Sequence, residues 1–465
     1  MKLYLFLIIL LISSHIPLSA ADGVVEEEKS TDFNSIVILI VDGLGASYIY
    51  PEYQPKALDR NILQKPQLKN FTAISSKSIR FLDISTTSLS GNSGHNVLIT
   101  GTCKADEKMV EYPGTTIYDV LHDYGYVAIA IMEKGDSAEI IAEQDLILHD
   151  TTNSINDVNL SLKARQCSED EALYEVWKSL GKHANDLPKL VENEREGSIE
   201  RYNAYNEIVF KAAEDTILEM KKSDVPYILT LNIGAIDSAG HYRGIGGYLQ
   251  TIEYFDMMIL PLYQLCRDNG ITLVITSDHG MAFPDSENRG GVLSGKYSEA
   301  SEVKRIPLII YSPTSEPEII DFPADQQDIA PTILSLLDIP DNPHFCEGKR
   351  IHIKDYATLK IITENRCNIC VLREGKIVDS SEPGVIHYFQ KLDIDTDYTF
   401  VVFDEEGKLI DEKIYSLSGD RIIHLSTEKS HSPISDKGWF DYFGYALIAI
   451  INLTGITLIF WLLKQ

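Results

Sequence analysis

The chain has 465 residues, of which 44% are hydrophobic and 24% charged. This excludes intrinsic disorder and collagen-like repeats and leaves room for more than one domain. Lys and Arg total 41 against 69 Asp and Glu, a formal net charge of -28, so the surface field repels phosphate backbones and argues against nucleic acid as a generic partner. Six cysteines in a chain this long do not staple a small scaffold, so stability rests on a buried core.

The first twenty residues run from Met1-Lys2 through the apolar stretch 3–12 to Pro17-Leu18-Ser19-Ala20. That basic, apolar, small-residue order predicts a signal peptide over 1–20. After an acidic stretch at 22–32, residues 35–41 form a β-branched apolar run ending in Asp42-Gly43-Leu44-Gly45, a buried strand with a carboxylate at its end. Similar runs recur at 126–132, 227–233, 271–276 and 306–311, separated by helical periodicity at 115–124 and 248–267. The alternation predicts an α/β domain, a layered sandwich around a largely parallel central sheet, over 33–345. Polar, helix-favouring residues at 145–224 predict a helical insertion, with a helix start near Ser168-Glu169-Asp170-Glu171. Short alternating segments at 399–403, 409–415 and 421–425 predict a small β-rich module over 346–432.

Residues 441–463 are long and apolar enough for a transmembrane helix, flanked by Trp439, Phe440, Tyr442 and Phe443 on one side and Trp461 and Lys464 on the other. The two ends together predict a single-pass cell-membrane protein with its catalytic domain extracytoplasmic. Sequons at Asn70 and Asn159 then face a glycosylating compartment, where the cell has one.

In open parallel sheets the chemistry collects at the carboxyl ends of the strands. Asp42 follows the first run, Asp237 and His241 follow 227–233, and Asp278-His279 follow 271–276. Carboxylate with imidazole suits Zn²⁺ or Mn²⁺, held as one or two ions. A pair of ions about 3.5–4 Å apart clamps both the attacking and the leaving oxygen of an in-line phosphoryl displacement. Taken singly, each residue has a plainer role: Asp42 as a cap, Asp237 as a turn former, His279 as a core histidine. Five of them at the ends of apolar strands weigh for a site.

Three motifs, Ile40-Val41-Asp42-Gly43-Leu44-Gly45, Asn232-Ile233-Gly234-Ala235-Ile236-Asp237-Ser238-Ala239-Gly240-His241 and Thr276-Ser277-Asp278-His279-Gly280-Met281, in that order, resemble the alkaline phosphatase superfamily. That family includes phosphodiesterases, sulfatases, cofactor-independent phosphoglycerate mutases and ethanolamine phosphate transferases. Arg305-Ile306-Pro307 and Gln327-Asp328-Ile329-Ala330-Pro331-Thr332 look like its late strand and closing helix, so the likeness spans about 33–342. The resemblance implies two divalent ions, with Asp42, Asp278 and His279 holding one beside the nucleophile and Asp237 and His241 holding the other.

Two features depart from the family pattern. The resemblance implies a Ser or Thr nucleophile at the start of a helix, here about 94–101, and the family's spacing back from Gly101 lands on Gly91. Ser90 is the first candidate, Ser93 the second, with Thr87 and Ser88 behind; Asn92 adds a donor for a phosphate at the helix start. The same Ser/Thr/Gly segment also reads as a simple helix cap. Secondly, Asn288-Arg289-Gly290-Gly291 stands where several branches carry His-Gly-Gly, and arginine does not ligate metals. Three readings follow: weak binding by Asp237 and His241 alone, Arg289 as a charge at the phosphate, or a decayed site. The downstream residues His344, His352, His387, His424 and His431 are possible replacement ligands. The sulfatase Cys-x-Pro-x-Arg segment is absent, Cys103 being followed by Lys104-Ala105. Cys367 and Cys370 read as a disulfide or a thiol pair.

The expected activity is metal-dependent hydrolysis of a phosphodiester or phosphomonoester, on a small molecule or a lipid or glycan headgroup, through a phospho-Ser or phospho-Thr intermediate. The alternatives are a phosphoethanolamine-type transferase acting on lipid or glycan, and a non-catalytic binding module that keeps the fold. Phosphoglycerate mutase activity fits the motifs but sits badly with export.

Overall fold

Runs of β-branched and apolar residues build the central sheet of the computed structural model, which describes residues 34–87, 91–133, 138–152, 154–165 and 171–426. In chain order its strands are β1 (Ile36–Val41), β2 (Ile79–Ser85), β3 (Val127–Met132), β4 (Leu146–Asp150), β5 (Leu160–Ala164), β6 (Tyr227–Ile233), β7 (Thr272–Thr276), β8 (Arg305–Tyr311), β9 (Ile319–Ile320) and β10 (Ala324–Asp325). Their spatial order is β10-β2-β8-β7-β1-β6-β3-β4-β5, with β9 beside β2. The five strands from β7 to β4 run parallel. Beyond them, β8 is antiparallel to both of its neighbours and β5 is antiparallel to β4.

The pleat sorts the side chains of β1 to two faces. Val37, Leu39 and Val41 join one core, with Phe210 of α4 (Ile199–Met220) and Ile252 and Phe255 of α5 (Ala235–Asp268). Ile36, Ile38 and Ile40 join the other, with Leu98 and Ile99 of α1 (Gly91–Thr100), Val120 and Leu121 of α2 (Ile117–Asp123), and Ile333 and Leu334 of α6 (Ile329–Leu336). Helices therefore cover both faces, as an all-buried parallel sheet requires. A capping box of Thr116 and Asp119 starts α2. The left-handed Gly244 (φ 66°) breaks α5 early in its course.

The stretch read as a helical insertion differs from that reading. It opens with β4 and β5, which extend the central sheet, and becomes helical only from α3 (Glu171–Asp186) onward. Leu146-Ile147-Leu148 is too short an apolar run to separate strand from helix by periodicity, and pairing with β3 decides it.

A second, mostly antiparallel sheet follows: β11 (Tyr356–Arg373), β12 (Lys376–Ser380), β13 (Gly384–Asp393), β14 (Thr396–Phe403), β15 (Leu409–Leu417) and β16 (Arg421–Leu425). The long β11 pairs with β12, β13 and β14 antiparallel and with β16 parallel. Its own core gathers around Leu359, Ile369, Phe389 and Phe400. Lys354 joins it to the larger part by pairing with Asp338 at 2.7 Å and Asp420 at 3.1 Å. Cys367 and Cys370 are free thiols. Among the described residues no helix is long and apolar enough to cross a membrane; the expected signal peptide and the expected transmembrane helix both lie outside the described residues.

Candidate metal centre

Since β7, β1 and β6 are parallel neighbours, the residues that follow them open at one edge of the sheet. Asp42 comes directly after β1 and is 2% exposed. Asp278 and His279 follow β7, and both are buried. Asp237 and His241 lie in the first two turns of α5, four residues apart and so on one helix face, with His241 Nε2 3.3 Å from Asp237 Oδ1. Asp42, Asp237 and His279 each offer a ligand atom, all within 4.8 Å of one another. The triplet therefore reaches across the two ligand sets that the family resemblance implies.

The backbone permits this convergence at a glycine. Gly43 is left-handed (φ 76°), and a Cβ there would lie 2.9 Å from the Asp237 Cβ. Only the absent side chain lets the loop after β1 approach α5. The Gly43 N–H donates to Asp278 Oδ1 at 3.2 Å, and the Leu44 N–H donates to Ser277 Oγ at 3.1 Å. From α5, the Tyr248 hydroxyl donates to the Gly43 carbonyl at 2.8 Å and accepts from the Gly45 N–H at 3.2 Å.

Both histidines are oriented in the same way. His279 Nδ1 bonds the Gly280 carbonyl and His241 Nδ1 bonds the Gly290 carbonyl, each at 3.1 Å. A carbonyl only accepts, so in each ring Nδ1 carries the proton and Nε2 presents a lone pair to the carboxylates. His279 Nε2 lies 3.3 Å from Asp278 Oδ2 and 3.7 Å from Asp42 Oδ1. Burial opposes its charge, but the Asp278, Asp42 and Asp237 carboxylates outweigh burial and raise its pKa above the usual histidine value.

The buried carboxylates of Asp42, Asp237 and Asp278 repel one another, and a divalent cation removes that cost. Asp278 Oδ2 is buried with no hydrogen-bond partner among the described residues. The donor set, the oriented histidines and this oxygen fit a divalent metal.

Four supporting residues were not singled out from sequence. Thr86 Oγ1 and Gln326 Nε2 both donate to the Asp278 carbonyl, at 3.0 and 2.9 Å. Tyr248 braces the loop after β1, as above. Glu133, which directly follows β3, is 1% exposed and accepts from the Gly234 and Ala235 N–H groups at 2.6 and 3.1 Å. The signal that picked out Asp42, a carboxylate closing an apolar run, applies equally to Glu133.

The expected nucleophile segment reaches the site through α1. Gly94 packs so closely on Asp278 that a Cβ there would lie 2.9 Å from the Asp278 Cβ. Asn92 and Ser93 fall in the first turn of α1; their side chains, and the whole of Ser88 and Ser90, lie outside the described residues. Arg289 is exposed and its side chain makes no hydrogen bond or ion pair among the described residues. Its neighbour Gly290 does reach the site, through the bond to His241. None of the downstream histidines joins a group of three or more metal-ligand residues among the described residues. His344 packs on Gly114 and His352 on Gly419; His387 lies 3.6 Å from Cys367 Sγ; His424 is in β16; His431 is outside the described residues.

The family model of the Metalloenzyme superfamily matches residues 34–341. A phosphopentomutase from Yersinia enterocolitica is 28% identical over 127 residues, 27% of this chain and 28% of that protein. A 2,3-bisphosphoglycerate-independent phosphoglycerate mutase from Ehrlichia canis is 28% identical over 142 residues, 30% of this chain and 27% of that one. The match thus spans little more than a quarter of the length of these curated relatives. Among solved structures, alkaline phosphatase PafA superposes with a TM-score of 0.49 at 13% identity, covering 70% of this chain and 99% of that one.

Proposed function

The chain belongs to the Metalloenzyme superfamily, and from that premise we propose that it is an exported, membrane-anchored, metal-dependent phosphoester hydrolase. The observation that carries this reading is the meeting of Asp42, Asp237 and His279 within 4.8 Å, where the ends of β1 and β7 face the first turn of α5.

Asp42, Asp278 and His279 would hold one divalent ion, and Asp237 and His241 a second; Zn²⁺ suits the set, with Mn²⁺ the alternative. When bound, the ions supply positive charge against the negative charge that builds on the phosphoryl oxygens. We assign the attack to the Ser90 hydroxyl, with Ser93 the alternative. The hydroxyl gives up its proton and its oxygen bonds to phosphorus as the ester P–O bond breaks; the departing oxygen takes up a proton to leave as the alcohol, and water then cleaves the phosphoserine P–O bond and restores the serine hydroxyl. The N–H groups at the start of α1 face a phosphate favourably, and Asn92 adds a donor. The Nδ1 bonds keep both imidazoles with Nε2 directed inward throughout.

The test is turnover of a phosphomonoester and a phosphodiester by the full-length chain, with Zn²⁺ or Mn²⁺ and with EDTA, combined with mass spectrometry for a phosphorylated serine. Metal-dependent release of phosphate or of the leaving alcohol is expected; no turnover and no phosphoserine would overturn the reading. The mutase names of the curated relatives favour a second reading, phosphoryl migration within one sugar phosphate. The same assay on a pentose phosphate separates the two, since a mutase isomerises without releasing phosphate.

A further inference from the structure

We infer that Glu133 is a positioning residue for the Asp237 and His241 half of the metal centre, an inference that rests on reading those two residues as ligands. α5 begins with no cap of its own: its N-cap is Gly234, and no side chain from that position satisfies the first N–H groups. Such orphan donors need partners when a helix end is buried. The partner here comes from a different strand. Glu133 Oε2 accepts from both Gly234 and Ala235, at 2.6 and 3.1 Å. A carboxylate at a helix N-terminus gains from the charge-assisted bonds and from the helix dipole together.

Glu133 is itself fixed at the backbone. Its N–H donates to the Asn232 carbonyl at 3.1 Å, and its carbonyl accepts from the Tyr205 hydroxyl. It therefore ties the end of β3 to β6 and to the first turn of α5. Asp237 lies two residues beyond Ala235, so any unwinding of that turn rotates Asp237 by about 100° per residue and carries His241 with it. A charge placed there, rather than a local Ser or Asp cap, holds the helix start against the neighbouring strand and so sets where the ligands point. This is the outer-shell role that fixes ligand orientation in metal sites.

The experiment compares full-length wild type with Glu133→Ala, Glu133→Gln and, as a control for stability alone, Thr116→Ala, which removes the capping box of α2. Co²⁺ affinity is read by competition with a chromophoric chelator, ligand geometry by the visible d–d absorption, and stability by melting in EDTA. Glu133→Ala is expected to weaken binding of the ion at Asp237 and His241 by about 10–100-fold and to alter the d–d bands. Glu133→Gln, which keeps an acceptor oxygen, should lose less, and it carries the test if the Ala variant does not fold. Thr116→Ala should melt lower with wild-type affinity and spectrum. Wild-type affinity and spectrum in folded Glu133→Ala, or equal affinity losses in Thr116→Ala, would overturn the inference while leaving the metal reading intact. A wild-type chain that takes up no Co²⁺ would overturn both.

Discussion

The two halves of the proposed metal centre are built differently. Asp278 and His279 sit in a sealed strand end, the His279 side chain 7% exposed, with Thr86, Gln326 and the Gly43 N–H fastening the segment. Asp237 and His241 sit on the first turns of a helix, and the His241 side chain is 37% exposed. One half is locked by several bonds from separate elements; the other depends on the Glu133 cap and on the Gly290 carbonyl. The locked half is shielded from solvent, whereas the other half opens to it at His241. The Asn288-Arg289-Gly290 segment, which departs from the family pattern, falls beside the open half.

Asp278→Ala is the severest way to break this contrast. It removes a proposed ligand and the acceptor of the Gly43 N–H together, and metal-dependent turnover should fall by more than the ~100-fold typical of losing an outer-shell partner. His241→Ala should leave the sealed half loaded, and metal analysis of the two variants compares them directly. Gly94→Ala comes next. Its new Cβ lies 2.9 Å from the Asp278 Cβ, and a shift of about 1 Å at a reacting centre costs on the order of 100-fold in rate. Steady-state kinetics should register that loss in kcat.

Gln326→Ala strips one of two side-chain donors from the Asp278 carbonyl, which keeps Thr86; the lost bond costs about 0.5–1.5 kcal/mol of stability, measurable by denaturant titration and accompanied by a smaller loss of affinity confined to the sealed half. The smallest effect lies outside both halves. The bond to Asp145, 2.9 Å long, raises the pKa of His122 above the usual histidine value. Burial works against the Asp145 charge, but the bonds from His122 and from the Ala128 N–H, together with the His122 and Arg165 charges, outweigh it and lower its pKa. The His122 contribution is therefore complete below the unfolded-state value of about 6.5 and fades as pH rises through the folded value. The Asp145 contribution is complete above about 3.9 and fades as pH falls through its folded value. His122→Asn should flatten stability against pH at weakly acidic to neutral values while leaving metal affinity unchanged.

The candidate ligands could be picked out because each closes an apolar run that reads as a buried strand, or lies within two helical turns of one. The parallel sheet was legible for the same reason. What stayed hidden depends on tertiary pairing. Gln326 lies 48 residues from the carbonyl it holds, and Tyr248 lies 205 residues from Gly43. No local periodicity encodes such partners. β4 and β5 were missed because their apolar runs are short and their neighbours are polar; the edge of the sheet supplies what the pattern lacks. Glu133 differs, since the rule that found Asp42 would have found it too.

The measurement that bears most directly on the central claim is the metal content of the full-length chain, by elemental mass spectrometry, after exposure to Zn²⁺ and Mn²⁺ and gel filtration. Two ions per chain are predicted, one of them released at lower chelator concentration and lost alone in His241→Ala. A chain that emerges with no bound metal would contradict the account.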